Sequence, residues 1–147
     1  MNAENFMELK IAAKSVNESF ARATVAAFAV QLNPTLDEIN DVKTAVSEAV
    51  TNCIVHGYES GVGEILIRAS IEKNVLHIDI EDNGKGIYDI EQAMQPFFTT
   101  KPEQERSGMG FTVMAAFCED LKVENKDNGG LKVSMKKKFG YSGEVNA

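Results

Sequence analysis

Residues 64–86 read EILIRASIEKNVLHIDIEDNGKG, and their pattern decides the fold class. In 64–72 (EILIRASIE) apolar residues recur at every second position, as a half-buried strand requires. Lys73-Asn74 reads as a tight turn, and 75–81 (VLHIDIE) alternates again. Asp82-Asn83-Gly84-Lys85-Gly86 then breaks the second strand with two glycines.

Working outward, residues 5–13 are expected to form a first strand. Ser15-Val16-Asn17-Glu18 has the spacing of a capping box and predicts a helix running to about Leu32, with Phe20, Val25, Phe28 and Leu32 as apolar positions. Asn33-Pro34 ends it. Thr35-Leu36-Asp37-Glu38 is a second capping box. It opens a longer helix over about 36–56, carrying Ile39, Val42, Val46, Ala49, Val50, Cys53 and Ile54 at helical spacing, with Gly57 as its stop. Beyond residue 86, about 87–107 reads as loop with one short helix near Glu91–Met94, and Gly108–Cys118 as a third main helix. Residues 120–126 and 130–138 read as a closing hairpin around Asp127-Asn128-Gly129-Gly130. The order is β-α-α-β-β-α-β-β. It lacks the βαβ alternation of a parallel, doubly wound sheet. The expected architecture is α+β: a two-layer sandwich, a mixed but mostly antiparallel sheet with helices on one face.

Composition bounds the function. A chain of 147 residues suits one domain over 1–147, with 140–147 as a frayed tail. The formal net charge of −7 opposes binding to a phosphate backbone, so no direct nucleic-acid role is expected. Cys53 and Cys118 form no CxxC pair and no Cys/His cluster, so they read as reduced core thiols. The first ten residues carry acids and no long apolar run, and no stretch approaches the roughly 18 apolar residues of a membrane span. A cytoplasmic protein without a membrane partner is expected.

Three short patterns carry chemistry. Glu48 and Asn52, four apart on the second helix, share one face. An amide oxygen is a hard ligand suited to magnesium, and a carboxylate beside it can orient or deprotonate an attacking hydroxyl. Asp82-x-Gly84-x-Gly86 follows a strand directly. Glycines there let the backbone approach a flat ligand, and the aspartate can accept from an exocyclic amine such as that of adenine. Arg106-Ser107-Gly108-Met109-Gly110-Phe111 precedes a helix, whose free amides and dipole favour an anion. Each pattern alone also fits an ordinary surface pair or a glycine turn. A Walker A loop and the protein-kinase HRD and DFG motifs are absent from the sequence.

Taken in order, the three patterns resemble the GHKL family of ATP-binding domains shared by DNA gyrase and histidine kinases. Glu48-x-x-x-Asn52 matches its N box, Asp82–Gly86 its G1 box and Ser107–Gly110 its G2 box. Longer runs resemble the anti-sigma serine kinases of spore-forming bacteria: Asn17–Arg22, Lys43–Asn52, His56–Glu59, Pro96–Glu103 and Arg106–Phe111. The related stress-response anti-sigma kinases match these runs less well.

That resemblance implies a protein serine kinase that uses ATP and Mg2+. Asn52 would coordinate the metal, Glu48 would act as general base, and Asp82 would read the adenine amine on a wall shaped by Gly84 and Gly86. Arg106, Ser107, Gly108, Met109 and Gly110 would cradle phosphates, with Thr99, Thr100 and Lys101 in an ATP lid over 88–107. Arg22 would contact two competing partners, a sporulation sigma factor of the sigma F type and an anti-anti-sigma protein that is also the phosphorylation substrate. A homodimer is implied as well. The alternatives are a stress-response type anti-sigma serine kinase, a nucleotide-gated binding module without significant kinase activity, and a stand-alone ATP hydrolase. One departure stands out: the family often has threonine after the glycine of its last box, where this chain has Gly130-Leu131. His56 and His77 lie in no dimerising helical hairpin and are expected to be structural.

Overall fold

The computed structural model describes residues 3–57, 63–84, 86, 90, 94, 110–127 and 129–140. Five strands form one sheet: β1 (Asn5–Ala12), β2 (Glu64–Glu72), β3 (Val75–Asp82), β4 (Asp120–Asn125) and β5 (Leu131–Lys138), in the order β1-β2-β3-β5-β4. All four pairings are antiparallel, so the described sheet has no parallel component. Among the described residues three α-helices accompany it: α1 (Glu18–Ala29), α2 (Leu36–Asn52) and α3 (Gly110–Phe117). Among the described residues, no helix is long and apolar enough to cross a membrane.

Register follows from the period-two pattern. Ile65, Ile67, Ala69 and Ile71 of β2 face the core together with Leu76, Ile78 and Ile80 of β3 and Leu131, Val133 and Met135 of β5. The opposite face carries cross-strand ion pairs, among them Arg68 with Glu8 (2.8 Å) and with Glu81 (3.3 Å). One face is therefore apolar and covered by helices, the other polar and solvated, as an antiparallel sheet permits. The turn at Lys73-Asn74 forms with Lys73 at φ +56°.

Helix α2 is the central helix of the covering layer. Its buried apolar residues, Val42, Ala45, Val46, Ala49 and Val50, recur at i, i+3, i+4, i+7 and i+8, one helical face. Helix α1 buries Ala21, Val25, Ala26 and Ala29, and these small side chains let the two helices pack closely. The Thr35 capping box forms in full: the Glu38 amide donates to Thr35 Oγ1 (3.1 Å) and the Thr35 amide to Glu38 Oε1 (2.9 Å). The capping box expected at Ser15 does not form. Ser15–Asn17 is a 3-10 turn with no capping bond, and Glu18 turns to Arg22 and Ser47 instead. A longer-range pairing outcompetes a local one. At its C-terminal end α2 passes into a π-helical turn, Cys53–Gly57.

After β5 the chain is tied down. Phe139 is fully buried, and its amide donates to Asn74 O (2.9 Å) while Asn74 Nδ2 donates to Phe139 O (2.9 Å). The Gly140 amide donates to Glu38 Oε2 (2.7 Å). Burial pushes the Glu38 carboxyl up, but bonds from Gly140 and Thr35, with Lys137 nearby, outweigh it and hold the group below its ordinary 4.5.

Candidate functional site

Strand phase delivers Asp82. Buried positions in β3 fall at Leu76, Ile78 and Ile80, and the next in phase is Asp82, 2% exposed. The carboxylate is therefore turned toward the helix-covered face at the strand's end. A buried carboxylate needs donors. Its Oδ1 accepts from the Gly84 amide (2.9 Å) and from the Leu131 amide (3.2 Å). The first bond shapes the Asp82–Gly84 turn locally. The second comes from the first residue of β5, 49 positions on, and exists only because β5 pairs with β3.

Two glycines let the loop after β3 meet the β4–β5 turn. Gly130 has φ +96°, and a Cβ there would overlap the Asp82 carbonyl oxygen and lie 2.8 Å from its carbon and 2.9 Å from Asn83 Cα. Gly86 has φ +75°, and a Cβ there would overlap the Asn125 side-chain oxygen and lie 3.4 Å from Gly130 O. No side chain fits between these backbones. Lys126 spans the same junction. Its Nζ donates to Asp82 O (3.0 Å) and Asn83 Oδ1 (2.9 Å) and pairs with Glu81 Oε1 (3.2 Å).

The end of α2 meets this junction through Cys53, which is 1% exposed. Burial pushes its thiol well above the ordinary range, the Asp82 carboxylate pushes it the same way, and Lys126 opposes them. Both cysteines are free thiols; Cys53 is a core thiol as expected, whereas Cys118 is only half-buried. Asn52 precedes Cys53 and is 7% exposed, and Glu48, half-buried, stands one turn earlier. The Asn52 amide oxygen is a hard ligand of the kind magnesium takes. The described residues contain no group of three His, Cys, Asp or Glu side chains able to hold a metal. Magnesium usually keeps several waters and takes phosphate oxygens beside one or two protein oxygens, so it needs no such cluster.

Gly110 is the first residue of α3. Thr99, Thr100, Lys101, Arg106, Ser107, Gly108 and Met109 lie outside the described residues, as does nearly all of the expected lid at 88–107. Arg22 lies near the start of α1, where α1 meets the C-terminal half of α2. Its Nη1 bonds Glu18 Oε2 (2.8 Å) and Ser47 Oγ (3.3 Å), and Ser47 donates to the same Glu18 carboxylate. Arg22 is therefore fixed to the residue that precedes Glu48 on α2. His77 lies half-buried on the polar sheet face, opposite Ser70 and Lys136.

Sequence reading missed Lys126, Leu131 and Ser47 as parts of these clusters. Gly129-Gly130 was a visible signal of close backbone approach, but no local pattern marks Lys126 or Ser47. At Leu131, where the family's threonine would stand, the side chain is buried and the backbone amide supports Asp82.

A family model described as the histidine kinase-like ATPase domain matches residues 11–137. The chain is 59% identical to the anti-sigma F factor of Thermoanaerobacter sp. (strain X514) over 140 residues, 95% of this chain and 98% of the relative. It is 60% identical to the anti-sigma F factor of Clostridium acetobutylicum over 136 residues, 92% and 95% of the two chains. Among solved structures, the RsbU and RsbW domains of Rv1364c from Mycobacterium tuberculosis superpose with a TM-score of 0.66 at 16% identity, over 92% of this chain and 32% of that one. The catalytic domain of the histidine kinase ThkA superposes with a TM-score of 0.56 at 17% identity, over 92% and 97%. The two structures speak for the fold alone, while the matched family model and the close relatives identify the lineage: the chain belongs to the histidine kinase-like ATPase domain family, within its group of anti-sigma F factors.

Proposed function

We propose that this chain is a cytoplasmic anti-sigma factor that binds magnesium-ATP, sequesters a sporulation sigma factor, and phosphorylates a serine of an anti-anti-sigma protein. The observation that carries the nucleotide reading is the junction of Asn52, Cys53 and Asp82. It sets the buried Asn52 carboxamide, next to Cys53 in the chain, at the same junction as a carboxylate whose Oδ1 is held by two backbone amides. Asp82 accepts the adenine amine through its remaining acceptor capacity. Asn52 holds magnesium, which neutralises phosphate charge when bound. Ser107, Gly108, Met109 and Gly110 supply amides to the phosphates, with Arg106, Thr99, Thr100 and Lys101 closing over them.

Glu48 is the general base. The partner's serine Oγ attacks the γ-phosphorus as its proton passes to Glu48, and the bond from phosphorus to the β-phosphate oxygen breaks, releasing ADP. Positioning and charge neutralisation dominate such a transfer. Arg22, held by Glu18 and Ser47, presents a pre-ordered guanidinium on α1 to both protein partners. The working unit is a homodimer.

The test is transfer from γ-labelled magnesium-ATP to the anti-anti-sigma protein, with Glu48→Gln alongside. Label on a partner serine that disappears in Glu48→Gln, with ATP binding retained, is the expected result. Retained transfer by Glu48→Gln would refute the role of Glu48. Bound ATP with no turnover in the native chain would leave a nucleotide-gated binding module, and free phosphate alone would make it a hydrolase.

A further inference from the structure

The nucleotide reading above needs Asp82 held in one orientation, and the residue that links its loop to the β4–β5 turn is one that no motif marks. Lys126 ends β4's neighbourhood at the base of the β4–β5 turn, where its own amide donates to Gly130 O (2.9 Å) and its carbonyl accepts from the Gly129 amide (3.1 Å). Its side chain, 22% exposed, runs the other way and lands on three consecutive residues of the neighbouring strand end: Glu81, Asp82 and Asn83. An ammonium has three donors. Two donate hydrogen bonds here, at 3.0 and 2.9 Å, and the Glu81 carboxylate pairs with the ammonium at 3.2 Å. A phosphate could recruit this group only by breaking one of those contacts.

We propose that Lys126 is a positioning residue for base recognition, clamping the β4–β5 turn onto the loop after β3 so that Asp82 keeps the orientation that reads an exocyclic amine. The inference rests on the nucleotide reading of the site. The backbone of the turn carries both the Leu131 amide that bonds Asp82 Oδ1 and the Gly130 carbonyl against which Gly86 packs. If the clamp opens, the Leu131 donor recedes, and of the two backbone donors on Asp82 Oδ1 only the local Gly84 amide remains. Lys126 reaches Glu81 through its carboxylate and Asp82 through its backbone carbonyl.

The test compares ATP with purine riboside triphosphate, which differs by the missing amine, by calorimetric titration with magnesium present. One hydrogen bond to a carboxylate is worth about tenfold or more in affinity, so the native chain should prefer ATP by about that factor. In Lys126→Met the preference should shrink at least about threefold through loss of ATP affinity, with the analogue's affinity little changed, and Lys126→Arg should recover most of it. Asn83→Ala, which removes one acceptor and leaves two, should shift the preference in the same direction by less. An unchanged preference in Lys126→Met and Asn83→Ala, whether both affinities hold or fall together, overturns the inference while leaving the nucleotide site intact. A native chain that binds neither nucleotide overturns the nucleotide reading itself.

Discussion

Gly129 and Gly130 form a matched pair that isolates the cost of a backbone contact at the site. Both have positive φ, +95° and +96°, so alanine at either position incurs the same conformational strain, about 1–2 kcal/mol. Each also gains about 0.4–1 kcal/mol from the loss of unfolded-state freedom. These contributions cancel in the difference. What remains is space. A Cβ at 129 meets only Gly84 O, at 3.8 Å, an ordinary contact. A Cβ at 130 overlaps the Asp82 carbonyl and lies under 3 Å from two more backbone atoms, where carbon–carbon contacts prefer about 3.5–4.0 Å. The turn must move away from β3 by most of an ångström. That stretches the 3.2 Å bond from Leu131 to Asp82 beyond hydrogen-bonding range and strips a buried carboxylate of one donor. Overpacking and the lost bond together cost about 2–4 kcal/mol beyond Gly129→Ala. At about 2–4 °C per kcal/mol for a chain of this size, Gly130→Ala should melt roughly 4–16 °C below Gly129→Ala. Scanning calorimetry of the two variants, with and without magnesium-ATP, measures this directly. The nucleotide should raise the melting temperature of Gly129→Ala more than that of Gly130→Ala. Melting temperatures within about 1 °C of each other would refute the claim that backbone contact at Gly130 is the constraint.

Three further outcomes are expected. Phe139→Ala empties a fully buried site at the end of β5 and should cost about 3–5 kcal/mol by denaturant titration, with the m-value unchanged. Ser47→Ala removes the hydroxyl that joins Glu18 and Arg22, and should cost about 1 kcal/mol in stability while weakening both protein partners; full affinity for both would show that Arg22 needs no anchor. Glu38 is held below its ordinary value in the folded chain. Its contribution is therefore present above the unfolded value of 4.5 and is lost as pH falls through the folded value. Glu38→Gln should accordingly flatten the acid limb of the melting-temperature profile below about pH 4.5 and leave the neutral region's slope unaltered.

Patterns of period two and 3.6 are local, and they alone determined much of this molecule. β2 spans Glu64–Glu72 as its alternation indicates, and α2 starts at the capping box of Thr35 and Glu38. Strand β3 runs one residue further than its pattern indicated, through Asp82, which therefore turns toward the core. The α+β class followed from element order, and the Glu48–Asn52 and Asp82–Gly86 spacings carried the family resemblance. The Ser15 pattern misled because Glu18 finds a stronger partner in Arg22 and Ser47, the latter 29 residues away. Tertiary structure alone decided which groups surround Asp82. Its donors come from Gly84, two residues on, and Leu131, 49 residues on, and Lys126 reaches its carbonyl across 44. Those partners depend on β5 lying between β3 and β4, a choice of strand order that no local period encodes. A hydrogen bond acts over about 3 Å of space and is indifferent to sequence separation, so the residues that hold Asp82 in place become visible only when the sheet has been assembled.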